Sequence, residues 1–236
     1  MQQADPHISF RAAPVREPFS PAENAIVARL VASKRKYLFV KRSFDLVFSL
    51  LILTGLLSWL LPLLAIWIKL DSRGPVFFSQ IRVGKNGRPF RCLKLRTMVV
   101  NEAADIRQAS PGDERITAAG RMLRATHLDE LPQFINILFG QMSIVGPRPH
   151  MPADCIRFSF VVPSYDFRHL VKPGITGLAQ VKGYRGPTPD YESILRRYHW
   201  DSVYVRKAST GLDARIMLQT LRNGWHHSLS RAFGRR

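Results

Sequence analysis

Charge disappears from the chain between Leu46 and Ile68, its longest apolar pattern. A helix through that stretch exceeds the ~20 residues needed to cross a bilayer. A buried core helix is normally shorter and keeps a polar face, so the pattern predicts a membrane helix. Both flanks are basic, with Lys34, Arg35, Lys36, Lys41 and Arg42 before the run and Lys69, Arg73, Arg82, Lys85 and Arg88 after it. A spanning helix usually keeps its excess of Lys and Arg on the cytoplasmic side alone. Pro62 interrupts the run and frees a backbone carbonyl that must find a partner. Together these features predict a helix, broken near Ser58–Pro62, that enters and leaves by one face. A plain span is the alternative.

The remaining patterns are shorter. Residues 1 to about 19 are polar, carry Pro6, Pro14 and Pro18, and predict a flexible tail. The run arrives too late for a secretory signal. Ser20-Pro21-Ala22-Glu23 is a capping-box pattern with proline at the first helical position. It predicts a helix through Ala32 with Ile26, Val27, Leu30 and Val31 on one side. Val76–Phe78 and Phe90–Leu95 predict two strands, with Ile81–Pro89 as the turn between them. Val99–Gln108 predicts a short helix and Ser110–Asp113 a loop. A helix follows from Ile116 to Ala125, with Ile116, Met122 and Leu123 inward. A second helix runs from about Asp129 to Phe139 and stops at Gly140. Pro173–Gly177 predicts a loop into a strand at Leu178–Val181, and Gly183–Pro189 another loop. Tyr191–Arg206 and Leu212–Asn223 predict two further helices, and Arg231–Arg236 a mobile basic tail. The fold class is therefore α/β, a small mixed α+β domain over residues 72–225. Residues 1–40 form a tail with a short amphipathic helix, 41–71 the membrane helix, and 226–236 the basic tail.

Charge narrows the partners. The chain of 236 residues carries 35 Lys and Arg against 17 Asp and Glu, a net +18. That field favours nucleic acid, acidic lipid surfaces or phosphorylated substrates. No cluster of basic and aromatic residues marks a recognition element, which argues against nucleic acid. Cys92 and Cys155 are the only cysteines, so no disulfide framework is implied and a reducing compartment fits. No histidine–cysteine spacing suggests zinc, and the His226-His227 doublet is a solvated tail feature. There is no Walker A loop and no Gly-x-Gly-x-x-Gly, so a nucleotide would be held in another way.

The candidate chemistry lies in Thr126–Gln133 and Met142–Pro149. Asp129 and Glu130 stand side by side where a helix is predicted to start. Asp129 reads equally as its cap, which aspartate commonly provides. Yet a helix N-terminus is also an anion site, and adjacent side chains point in different directions. Asp129 could attack a phosphorus while Glu130 holds a metal ion, with Mg²⁺ and arginines relieving the charge repulsion. Gly146-Pro147-Arg148-Pro149 fixes the backbone on both sides of Arg148. That suits a pre-ordered phosphate grip, and equally a structural turn. Lys94 and Arg96 share one face of a predicted strand, lining either an anionic pocket or a solvated edge.

Those segments carry a resemblance. Lys41-Arg42-Ser43-Phe44-Asp45, Phe90–Met98, Leu128–Asn136, Met142–Pro149, Lys172–Gly183 and Asp201-Ser202-Val203-Tyr204 with Asp213 follow one another in order. From about Lys41 to about Trp225 the chain resembles the bacterial sugar transferases, monotopic phosphoglycosyl transferases that load a sugar phosphate onto a polyprenyl phosphate. The resemblance implies that Asp129 attacks a UDP-sugar, releases UMP and forms a phosphosugar-aspartyl intermediate, from which undecaprenyl phosphate takes the sugar phosphate. It implies Mg²⁺ at Glu130, and substrate or phosphate binding at Lys94, Arg124, Arg148 and the acidic position Asp201. It also implies exopolysaccharide or O-antigen initiation on the cytoplasmic face of the inner membrane, contact with its lipids, no nucleic-acid partner, and a homodimer as one allowed assembly. The family usually breaks its membrane helix at a Ser-Pro pair. Here Ser58-Trp59 stands near that place and Pro62 comes three residues later, so the break is shifted by about one turn or the helix is less bent. Gly183-Tyr184-Arg185-Gly186 resembles the loop of members that transfer glucose or galactose 1-phosphate. A non-catalytic membrane-associated subunit is the rival reading.

Overall fold

The computed structural model describes residues 21–100, 112–186, 188 and 190–233. The predicted N-terminal tail, most of the Val99–Gln108 helix and the last three residues lie outside that description.

Helix α1 (Pro21–Ser33) forms as expected. Only Val27 and Val31, one turn apart, pack on the cluster around Phe158, Tyr165 and Ile194. Ile26 and Leu30 stay exposed, so the apolar face is narrower than its spacing suggested.

The apolar run forms α2 (Arg35–Leu51), a π-helical turn over Ile52–Leu57, and α3 (Ser58–Asp71). Among the described residues it is the one helical run long and apolar enough to cross a membrane, and only 11% of its apolar window is buried. It is therefore not a core helix. Pro62 sits inside α3, and the irregular turn lies ahead of it rather than at Ser58–Pro62. A proline ring crowds the carbonyl four residues earlier, and a π-turn just upstream accommodates that widening. Side chains supply bonds there: Thr54 donates to Leu50 O at 2.9 Å, Ser58 to Thr54 O at 2.5 Å, and the Trp59 indole to Gly55 O at 2.9 Å.

Both ends of this run dock on one domain. Asp45 accepts from the Ile144 amide at 3.0 Å and Ser143 Oγ at 3.1 Å. Arg42 donates to Ile137 O at 2.6 Å and Leu138 O at 2.8 Å. Those carbonyls end α5 (Gln133–Leu138), where a cation is favoured. At the far end Leu64 and Ile68 pack on Leu95 and Leu123. Asp71 accepts from the Ala119 amide at 3.2 Å, in the first turn of α4 (Ala118–Thr126).

Two small sheets carry the centre. β1 (Phe77–Val83) pairs antiparallel with β2 (Pro89–Leu95), Phe77 opposite Leu95 and Val83 opposite Pro89. β1 thus takes in Ile81–Val83, which the sequence reading assigned to the turn. Arg82 stands close to the turn-forming Gly84, Asn86 and Gly87, but it lines an interior cavity, as Gln80 on the same strand does. β3 (Ser143–Val145) runs parallel to β4 (Gly174–Thr176). The expected loop at Pro173–Gly177 therefore holds a strand, and the expected strand at Leu178–Val181 is a short helix, α7. The glycines misled the pattern: a Cβ on Gly146 would sit 2.3 Å from Lys172 O, and one on Gly174 2.1 Å from Gly146 N. Only glycine permits so close a backbone approach.

Met122 of α4 is exposed rather than inward. The helix predicted over Asp129–Phe139 divides into a 3₁₀ turn at Leu128–Glu130 and α5, because Pro132 cannot donate to the turn before it. α6 (Pro152–Ser159), α8 (Tyr191–Lys207) and α9 (Thr210–Phe233) complete the described elements. α9 runs past Asn223 into the expected basic tail. The largest core cluster joins Cys92, Ile137, Met142, Val145, Tyr204 and Ile216.

Candidate active site

A cavity of about 610 Å³ opens between β1, β2, the end of α4, the 3₁₀ turn and the loop around Arg185. Seven Lys and Arg side chains line it, against two carboxylates, Asp129 and Glu130. The excess decides its preference: it is a site for anions.

Local backbone chemistry places each charge. His127 ends α4 in a left-handed conformation, φ 61°. That sharp turn, costly for a residue with a Cβ, lets Arg124 on one side and Asp129 and Glu130 on the other face one space. Arg124 is held by Nε to Thr97 Oγ1 at 2.8 Å. Lys94 comes from β2 and Arg148 from the segment after β3. The two prolines that flank Arg148 lack amide donors, and carbonyls from Val145 to His150 are taken up from several directions. Lys41 donates to Val145 O, the Gly174 amide to Pro147 O, Arg168 to Arg148 O, Arg82 to Pro149 O and the Val83 amide to His150 O. Arg148 is therefore mounted on a backbone fixed before any ligand arrives.

Glu130 gathers three cations. Its Oε1 accepts from Arg148 at 2.7 Å and Lys94 at 3.1 Å, and its Oε2 from Arg185 at 3.0 Å. Burial alone would raise its pKa, but Arg148 and Lys94 outweigh that and hold Glu130 well below the usual carboxylate range. Asp129 is different. Among the described residues its carboxylate makes no hydrogen bond or ion pair, and burial pushes its pKa up against the pull of Lys94. Two neighbouring carboxylates are thus driven apart, one firmly anionic and paired, one desolvated and unpaired.

No group of three or more His, Cys, Asp or Glu side chains converges as a metal cage among the described residues. Mg²⁺ is commonly held by one or two carboxylates with substrate phosphates and waters. The Asp129–Glu130 oxygens, in a cavity with room for phosphates, fit that mode.

Lys94, Arg124, Asp129, Glu130 and Arg148 all meet in the cavity, and Arg96 lines it too. Asp201 does not. It is buried behind the wall, bonded to Arg168 Nε at 3.0 Å and Nη2 at 2.8 Å. Arg168 in turn donates to Arg148 O at 2.6 Å, so Asp201 acts on the cavity through the backbone of Arg148. Asp213 is also remote, bonded to Lys41 at 2.8 Å, Tyr37 at 3.0 Å and Tyr204 at 2.8 Å. Sequence reasoning did not assign Arg185 or Arg168. Arg185 had a signal, since glycines flank its loop much as prolines flank Arg148. Arg168 had none.

A sequence model described as bacterial sugar transferase matches residues 36–227. A UDP-glucose:undecaprenyl-phosphate glucose-1-phosphate transferase of Klebsiella pneumoniae is 46% identical over 186 residues, 78% of this chain and 40% of that one. A protein of the same description from Caulobacter vibrioides is 47% identical over 182 residues, 77% of this chain and 68% of its own. A UDP-N-acetylgalactosamine-undecaprenyl-phosphate N-acetylgalactosaminephosphotransferase of Aeromonas hydrophila is 41% identical over 187 residues, 79% of this chain and 44% of its own. The chain thus spans less than half of the Klebsiella and Aeromonas proteins and about two thirds of the Caulobacter one.

Proposed function

The chain belongs to the bacterial sugar transferase family, and we propose that it transfers a sugar 1-phosphate from a UDP-sugar to undecaprenyl phosphate. The observation that carries this reading is the unpaired carboxylate of Asp129, facing a cavity in which cations outnumber carboxylates. An Asp129 oxygen attacks the phosphorus next to the sugar, and the bond from that phosphorus to the bridging oxygen breaks. UMP leaves with the bond's electrons, and the sugar phosphate remains on Asp129. An oxygen of the lipid phosphate then attacks the same phosphorus, and the aspartyl oxygen departs as carboxylate. Polyprenyl diphosphate sugar is released and Asp129 is restored.

A raised pKa makes Asp129 the more basic and more nucleophilic of the pair, while Lys94 and Arg124 keep it usable as an anion. Arg148 and Arg185 lie where diphosphate oxygens would replace those of Glu130, with a bidentate grip available to each guanidinium. Glu130, with Asp129 beside it, would hold Mg²⁺, which when bound supplies further neutralisation of the diphosphate charge. The donor is a UDP-hexose, with glucose favoured by the names of the Klebsiella and Caulobacter relatives. The product starts exopolysaccharide or O-antigen assembly.

The apolar run enters and leaves the inner membrane by its cytoplasmic face. Support comes from its basic flanks and from its two ends, which dock on one domain. Tags placed before Arg35 and after Asp71 should both be protected from periplasmic labelling in intact cells. Periplasmic labelling of the first would establish a span. The reaction itself is tested by UMP release from detergent-purified protein with Mg²⁺, undecaprenyl phosphate and a panel of UDP-sugars. Lipid-dependent release with one sugar names the donor. Folded protein that releases none with any donor removes the assignment.

A further inference from the structure

A second, apolar recess of about 450 Å³ lies beside the charged cavity. Leu57, Leu61 and Ala65 line it from the membrane helix, spaced four residues apart on one stripe. Val76, Phe77 and Ile135 line it from the domain. The helix grips the domain near Asp45 and again near Ile68, yet between those points it leaves this trough. Small Ala65 and ring-closed Pro62 keep it open. Phe77 lines both recesses, so trough and charged cavity meet at one side chain. On the cavity side β2 places Lys94 opposite Phe78. Arg96 follows, its amide bonded to Val76 O at 2.8 Å and its guanidinium tied to Ser72 O at 2.6 Å. Arg96 is 95% buried, and its Nε and Nη1 find no partner among the described residues.

We propose that the hydrocarbon chain of the polyprenyl phosphate acceptor lies in this trough, and that Phe77 marks where chain gives way to phosphate. The inference rests on the transferase reading above, which it extends by giving the second substrate a place. Three features select this occupant. The trough is apolar and belongs to a helix whose length and composition suit a bilayer. It ends at a cavity with an excess of cations. An ordinary phospholipid carries two chains and an esterified headgroup. A single chain with a terminal phosphate can pass one aromatic side chain and present a free phosphate oxygen to the site.

Two measurements on the full chain test this. In the first, p-benzoylphenylalanine replaces Phe77, already an aromatic side chain at the trough, and the protein is irradiated in phospholipid vesicles containing undecaprenyl phosphate. The expected adduct has the mass of polyprenyl phosphate; phospholipid adducts alone overturn the proposal. In the second, Ala65→Trp fills the trough, and Ile66→Trp, on the exposed face of the same helix, serves as control. Ala65→Trp should raise KM for undecaprenyl phosphate about tenfold or more and leave KM for the UDP-sugar near wild type. An unchanged lipid KM, or an equal rise in both constants, overturns the proposal. The two ideas fail separately. A polyprenyl adduct on a protein that never releases UMP leaves the trough and removes the reaction. UMP release without a polyprenyl adduct does the reverse.

Discussion

Two buried acid–base clusters lie on either side of the Arg148 backbone. In one, Glu130 faces Lys94, Arg148 and Arg185 at the wall of a cavity. In the other, Asp201 faces Arg168, both side chains at most 2% exposed. Each sets a carboxylate against basic side chains, and the stoichiometry differs. One carboxylate against three cations leaves positive charge unspent, and a cavity gives it something to bind. One against one, sealed from solvent, faces no open space, and the Arg168 Nη2 group that pairs with Asp201 also donates to the carbonyl of Arg148. A charge imbalance that faces open space thus marks ligand binding, and a balanced sealed pair marks support.

The comparison can be broken by substitution. Asp129→Asn should reduce UMP release by at least about 10³-fold, as expected for a lost nucleophile. Its melting temperature should stay level or rise, because burial already opposes the Asp129 charge. A variant that melts early would place Asp129 among supporting residues. Asp201→Asn should do the opposite. It strands the buried Arg168 charge and should cost about 3–5 kcal/mol of stability, read by thermal or denaturant unfolding. Unchanged stability would mean that the sealed pair carries no structural burden. Arg148→Lys keeps the charge and removes the fork. A loss of roughly 10²-fold in kcat/KM, with little change in melting temperature, is expected from charge-assisted hydrogen bonds worth ~1.5–3 kcal/mol each. Arg185→Ala should have the smallest effect, about a tenfold rise in KM for the UDP-sugar, since its side chain is one-third exposed. Its stability should shift by less than about 1 kcal/mol.

Much of this site was legible because its parts are local. Asp129-Glu130 is adjacent in the chain, Arg148 is framed by prolines, and Lys94 lies on a short alternating strand. Such features need no knowledge of what packs on what. The errors fell where local pattern and tertiary use disagree. Gly174–Thr176 looks like a loop because glycine is a poor strand former, but there it permits two backbones to approach. Ile81–Val83 looks like part of the turn because Gly84, Asn86 and Gly87 follow at once, yet Ile81–Val83 continues β1, whose Arg82 lines the cavity. Asp201 was placed near the site and stands one shell behind it, because the identity of its partner depends on where Arg168 folds.

The sequence by itself determined the apolar run, the basic excess, the carboxylate pair and the rigid arginine, since each follows from residue type and spacing within a few turns. Only the tertiary structure decided which carboxylate is paired and which stands unpaired, that Arg185 completes the cation cluster, and that both ends of the apolar run dock on one domain. Those outcomes depend on burial and on distances between residues 18 to 99 positions apart. Desolvation and Coulomb energies are set by position in space, and no spacing along the chain encodes them.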